Sequence, residues 1–155
     1  MLGRFARLDG PVRRTSSPSM RPLVTCCLVL WASPYTLLGL LIGILCRGKF
    51  QCIDSVVEIH GPRVNWFLCH LPIAAMAMTL GHVVLGQNVI ALNRTRRHER
   101  VHVRQYCIWG PLFGPAYLLC SAVLWLRGRD AYRDNPFERE AFQIDSFESK
   151  CDIER

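Results

Sequence analysis

The alternation of apolar and polar positions divides this chain into an uncharged run, two β-like stretches and two helices. From Pro22 to Cys46 no charged side chain occurs over 25 residues, enough for a helix to cross a hydrocarbon core of roughly 30 Å. Ile53 to His60 reads as a short strand stopped by Gly61-Pro62. Met78 to Leu85 reads as a second, β-branched stretch closed by the turn-prone Gly86-Gln87-Asn88. The period then changes to helical, from Asn93 as N-cap to Trp109, with Gly110-Pro111 as the stop. A last helix opens at Asp134-Asn135-Pro136, with Asn135 as cap and Pro136 in the first position. The expected architecture is an α+β domain over 52–145, with a small sheet beside the Asn93–Trp109 helix. An anchor at 22–46 tethers it, a basic tail at 1–21 precedes it and an acidic tail at 146–155 follows.

Charge orients the anchor. Arg4, Arg7, Arg13, Arg14 and Arg21 precede the uncharged run and only Arg47 and Lys49 closely follow it, so the positive-inside rule favours a cytoplasmic amino terminus and a membrane location. Pro34 opens the alternative of a re-entrant hairpin, and Gly39 and Gly43 form one G-x-x-x-G of the kind that pairs membrane helices. The net charge of +7 does not point to nucleic acid, because the aromatic residues lie in apolar runs rather than among the arginines. Of the eight cysteines, Cys26, Cys27, Cys46, Cys69 and Cys120 lie in or beside apolar stretches and no C-x-x-C occurs, which favours buried free thiols over a disulfide framework or a cysteine zinc site.

The chemistry concentrates on the Asn93–Trp109 helix. His98, Val101, His102, Gln105, Tyr106 and Trp109 recur at spacings of three and four and share a face, while Arg96, Arg100 and Arg104 share another. Two imidazoles one turn apart can ligate a single metal, and Glu99 beside them can take a proton from an attacking water. This is an H-E-x-x-H arrangement; the plain alternative is a solvated basic helix whose histidines do nothing. A catalytic metal needs a third protein ligand, and Glu138 and Glu140 are the candidates, although acidic residues also favour a helix start for its positive field. Two residues apart on a helix, they point about 200° away from each other, and the small Ala141 on the face of Glu138 lets the two helices approach there.

Glu138-x-x-Ala141 after His98-Glu99-x-x-His102 resembles the second motif of gluzincin metallopeptidases, including the membrane-embedded CAAX-type proteases. Thr79-Leu80-Gly81-His82, His102-Val103-Arg104-Gln105-Tyr106, Trp109-Gly110-Pro111-Leu112-Phe113 and Tyr132-Arg133-x-Asn135-Pro136-Phe137-Glu138 also resemble small uncharacterised bacterial membrane proteins, over roughly residues 53 to 142. The resemblance implies a zincin-like fold, Zn2+ held by His98, His102 and Glu138, Glu99 as general base, and a peptide or protein substrate aligned along an edge strand near Met78 to Leu85. Phe142 stands where the family often has an aspartate supporting a ligating histidine. Tyr132 and His82 are candidate oxyanion stabilisers.

Two other readings compete with a peptidase in the bilayer. In one, Phe67–Leu92 and Pro111–Leu126 are further spans of a non-catalytic three-span membrane protein. In the other, the domain binds metal without catalysis.

Overall fold

The structure, a computed structural model, describes residue 31 and residues 33–71 and 75–153, with side chains as far as residue 146. In chain order it contains helix α1 (Ser33–Leu45), strands β1 (Lys49–Ile53) and β2 (Val56–His60), helix α2 (Pro62–Cys69), strands β3 (Ala77–Leu80) and β4 (Val83–Gly86), and helices α3 (Val89–Trp109), α4 (Phe113–Leu126) and α5 (Pro136–Ile153). A single 3-10 turn, Gly110–Leu112, joins α3 to α4. The architecture is mixed α and β, around a four-stranded sheet in the order β1-β2-β4-β3. The basic tail and the first part of the 22–46 anchor fall outside the described residues. At the other end, α5 runs through the boundary expected at 145.

Each expected strand is in fact cut by a two-residue turn. Asp54 and Ser55 turn the chain between β1 and β2 with φ of 48° and 66°, and β1 then pairs antiparallel with β2. Such a turn usually announces itself by glycine, and Asp-Ser inside a β-branched run conceals it. Gly81-His82 likewise turns β3 back onto β4, with Gly81 at φ 61°. β2 and β4 pair in parallel, Val57 opposite Val83 and Ile59 opposite Leu85, so α2 lies in the crossover between the two halves of the sheet.

Both faces of the sheet are covered, which is why β4 is buried at all four positions. Ile59, Leu80, Val83 and Leu85 point to one face and pack with Val64 and Leu68 of α2 and with Tyr35, Leu40 and Ile42 of α1. Val56, Ala77 and Val84 point to the other face and meet Leu92 and Val103 of α3. Gly39 and Gly43 serve this packing rather than a second helix. A Cβ on Gly39 would stand 2.9 Å from Val83 Cβ, and one on Gly43 would run into Ile59 Cδ1. The G-x-x-x-G therefore lets α1 lie close on the sheet.

Helix α3 begins one turn before the expected Asn93, because Asn88 caps it: its Oδ1 accepts from Ala91 N–H at 2.8 Å. Its basic face is not simply solvated. Arg96 donates from Nε and Nη2 to the two carboxylate oxygens of Glu58 on β2 at 2.8 and 2.9 Å, and Glu58 is 2% exposed. Arg100 donates from Nη2 to the Ile53 carbonyl at 2.6 Å. The Arg96 guanidinium holds the Glu58 carboxyl below the ordinary carboxylate range against the opposing effect of burial. The stability it contributes is therefore present above the ordinary carboxylate pKa and lost as pH falls through the depressed one. Arg96→Ala is expected to cost about 2–3 kcal/mol, somewhat under the full cost of stranding a buried charge because the arginine is partly exposed. In denaturant midpoints against pH, the gap from wild type should shrink in acid, where Glu58 is neutral.

Among the described residues, one helical run, Val89–Leu126, is long and apolar enough to cross a membrane by length and composition. Its uncharged part lies between Arg104 and Arg127, beyond the arginine-rich turns. Leu112, Leu118, Leu119, Trp125 and Leu126 are exposed along it, and Leu37, Leu38, Leu41, Ile44 and Leu45 are exposed on α1. The middle span of the three-span reading is contradicted: Phe67–Leu92 holds the end of α2, both strands of the β3-β4 hairpin and the start of α3. The expected β stretch at Met78 to Leu85 stands instead, as the β3-β4 hairpin; the run also admits a span because β4 is apolar and buried throughout, as a buried helix would be.

Candidate metal centre

The 3.6-residue period of α3 turns His98 and His102 to the side facing α5, opposite the arginines that grip the hairpin. Both imidazoles are buried, at 8% and 7% exposure. The third member comes from α5. Asn135 is fully buried, its Oδ1 accepts from Phe137 N–H at 3.0 Å, and its Nδ2 donates to the Tyr117 carbonyl and to Ser121 Oγ on α4. The cap thus fixes the start of α5 against α4, and Glu138, in the first turn, is carried in beside the histidines. Ala141, with no exposed surface, gives α3 room to approach.

His98, His102 and Glu138 are all buried and their ligand atoms lie within 4.8 Å of one another. The two Nε2 atoms are 3.1 Å apart, His98 Nε2 is 3.2 Å from Glu138 Oε2, and His102 Nε2 is 3.4 Å from Glu138 Oε1. Atoms bound about 2.0–2.1 Å from a tetrahedral ion lie about 3.3 Å from each other, close to each of these pair distances, with His98 meeting Oε2 and His102 meeting Oε1. Glu138 Oε1 accepts from Tyr117 O–H at 2.8 Å, whereas Oε2 is buried without a hydrogen-bond partner. A buried carboxylate beside two imidazole nitrogens is a donor set suited to a cation, and this group can hold a metal ion. Burial alone would raise the Glu138 carboxyl, but the imidazoles of His102 and His98 beside it outweigh that and hold it at about 2. It is therefore anionic throughout the neutral range, as a ligand must be.

Glu99 is 5% exposed, and its Oε2 accepts from Thr79 O–H of β3 at 2.7 Å. Burial pushes its carboxyl above the ordinary range, opposed by His102, the Thr79 hydrogen bond and His98. Its position on the edge strand side of α3 leaves it beside the trio rather than within it.

The remaining candidates separate. Glu140 is exposed, outside the trio, and accepts from Gln105 Nε2 at 3.0 Å. Tyr132 stays in the neighbourhood: burial first, then the charges of Glu138 and Glu99, push its phenol up, and its ring meets Phe142, which in turn lies against His98 with centroids 4.8 Å apart. His82 occupies the β3-β4 turn, with Nε2 3.6 Å from Cys107 Sγ. Three residues at the site had no role in the sequence analysis. Gln105 shared the histidine face and Thr79 lay in the strand, but nothing marked their partners. Tyr117, 21 positions before Glu138 in an apolar run, carries no sequence signal.

No protein-family model, no curated protein and no solved structure matches this chain.

Proposed function

We propose that this chain is a membrane-anchored, zinc-dependent peptidase with a zincin-like domain, cutting peptide or protein substrates with an activated water. The observation that carries the reading is the buried convergence of His98, His102 and Glu138 with one Glu138 oxygen unpartnered. A His2Glu set with one open position is a catalytic zinc set. When bound, zinc lowers the pKa of the attacking water toward about 7 and polarises the scissile carbonyl.

The chain's own residues do the rest. Glu99, made more basic by burial, takes the water proton and passes it to the leaving amine. Thr79 holds Glu99 at 2.7 Å in the orientation this needs. Tyr132 is the nearer candidate for the oxyanion, and the edge strand β3 is available to an extended substrate. The exposed apolar faces of α1 and α4 set the domain in the bilayer, and the arginines before residue 22 favour a cytoplasmic amino terminus. Purified protein in lipid is expected to cleave an unfolded protein substrate, to stop when the metal is chelated and to resume when Zn2+ is restored. Cleavage indifferent to chelation contradicts the proposal.

One observation favours a second reading, metal binding without catalysis. Thr79 already occupies one oxygen of a fully enclosed Glu99. Bound zinc with no cleavage of any peptide supports that reading.

A further inference from the structure

His102 has a partner on the side away from Glu138. Its Nδ1 lies 2.8 Å from Gln105 Oε1, and the Gln105 side chain is among the most deeply buried in the chain. The amide's other end donates to the Phe137 carbonyl at 3.0 Å and to Glu140 Oε2 at 3.0 Å. Those two atoms only accept, so they fix which way the amide faces: NH2 toward α5, carbonyl oxygen toward His102. A carbonyl oxygen cannot donate, so the proton of that bond belongs to His102 Nδ1. The lone pair of the neutral ring is then left on Nε2, the atom 3.4 Å from Glu138 Oε1.

We propose that Gln105 is the positioning residue of the metal centre, selecting the His102 tautomer that offers Nε2 to the ion and tying that histidine to the turn that presents Glu138. The proposal rests on the metal reading above, but its tautomer claim stands in the metal-free chain as well. The Gln105 amide touches Phe137 and Glu140, one residue before and two residues after Glu138, so one side chain couples α3 and α5 at the point where their ligands meet. An acceptor on the far ring nitrogen of a ligating histidine is a common outer support of a metal site. Gln105 lies one turn beyond His102 on the same helix face, so α3 provides a ligand and the group that orients it.

The test uses the full chain in lipid or detergent. Long-range 1H–15N correlation of His102 in the metal-free protein at mildly alkaline pH reads the tautomer directly, and competition against a chromophoric chelator reads Zn2+ affinity. Wild type is expected to show the Nδ1–H form. Gln105→Met, similar in length but unable to accept, should lose that preference and bind Zn2+ about 10- to 100-fold more weakly. Should that variant fail to fold, Gln105→Glu keeps the acceptor and removes the donor. It should retain the Nδ1–H form and weaken Zn2+ binding, and adding Glu140→Gln should recover part of the loss by returning a donor from α5. An Nε2–H form in wild type, or unchanged tautomer and affinity in Gln105→Met, overturns the positioning role. For Gln105→Glu, loss of the Nδ1–H form overturns the tautomer selection, and unweakened Zn2+ binding overturns the tie to α5. A wild type with the Nδ1–H form that takes up no Zn2+ contradicts the metal reading and, with it, the role at a metal centre, while leaving the tautomer assignment in place.

Discussion

Glu99→Gln should leave the fold and the bound metal unchanged and lower peptide hydrolysis by about 10²-fold or more, the order expected for losing a general base. The substitution keeps the size of the side chain and its capacity to accept from Thr79 O–H, the 2.7 Å hydrogen bond that fixes Glu99 in place. It removes only the basicity. Because burial already disfavours charge on Glu99, the neutral amide is tolerated at that position, and stability should fall little or even rise. Glu99 is one residue from His98 and so points about 100° around α3 from that ligand, which is why metal content should not follow activity. Parallel measurement of metal stoichiometry and of cleavage rate in wild type and variant checks this. A variant that keeps its rate removes Glu99 from the mechanism.

Glu138→Gln should abolish metal binding at micromolar metal, whereas Glu140→Gln should retain one equivalent. The two carboxylates stand in one helical turn, yet only Glu138 is buried against His98 and His102, with an oxygen left unpartnered. Glu140 faces solvent and receives the Gln105 amide. Replacing Glu138 removes the negative charge that is held down to about 2 by its two histidines. An amide oxygen is a far weaker ligand for a borderline-soft dication than a carboxylate. Equilibrium dialysis against Zn2+ separates the pair. Full metal content in Glu138→Gln together with loss in Glu140→Gln would reverse the assignment.

The parts of this molecule that were legible in its sequence are those set by local geometry. His98, Glu99 and His102 could be placed on α3 because a helix brings residues three and four apart together whatever surrounds it. Asn135 and Pro136 announced the start of α5 because caps act on the nearest N–H groups, as the Asn135–Phe137 hydrogen bond shows. What stayed hidden depends on distant parts of the chain. The turn at Asp54-Ser55 lacks the usual glycine, so the expected strand ran from Ile53 through the turn to the end of β2, and the rest of β1 was not expected. Asn88 was read as part of a turn, because Val89 to Leu92 looks the same whether it ends a strand or begins a helix. The role of Gly39 and Gly43 follows only from the sheet beneath α1, a surface assembled from strands further along the chain, with Val83 under Gly39 and Ile59 under Gly43. Tyr117 reaches Glu138, and the Gln105 amide reaches Phe137 and Glu140, through packing of α4 and α5 against α3, which no spacing encodes.

The basic face of α3 carries a related lesson. Arg96, Arg100 and Arg104 are spaced as a solvated stripe would be, and charge alone could not distinguish that from an interface. Glu58, which gives Arg96 its purpose, sits 38 positions earlier on β2. The same helix therefore faces two ways: Arg96 and Arg100 fasten it to the β1-β2 hairpin while its histidines turn to α5. This explains how an H-E-x-x-H run can tolerate arginines within it.

The central claim is that His98, His102 and Glu138 together hold one metal ion, and metal analysis of the purified, detergent-solubilised chain tests it most directly. Wild-type protein loaded with Zn2+ and freed of excess should retain one equivalent per chain, and His102→Ala should retain essentially none while keeping its helical circular-dichroism signal. A folded wild type that retains no metal, or a His102→Ala variant that retains as much as wild type, contradicts the account.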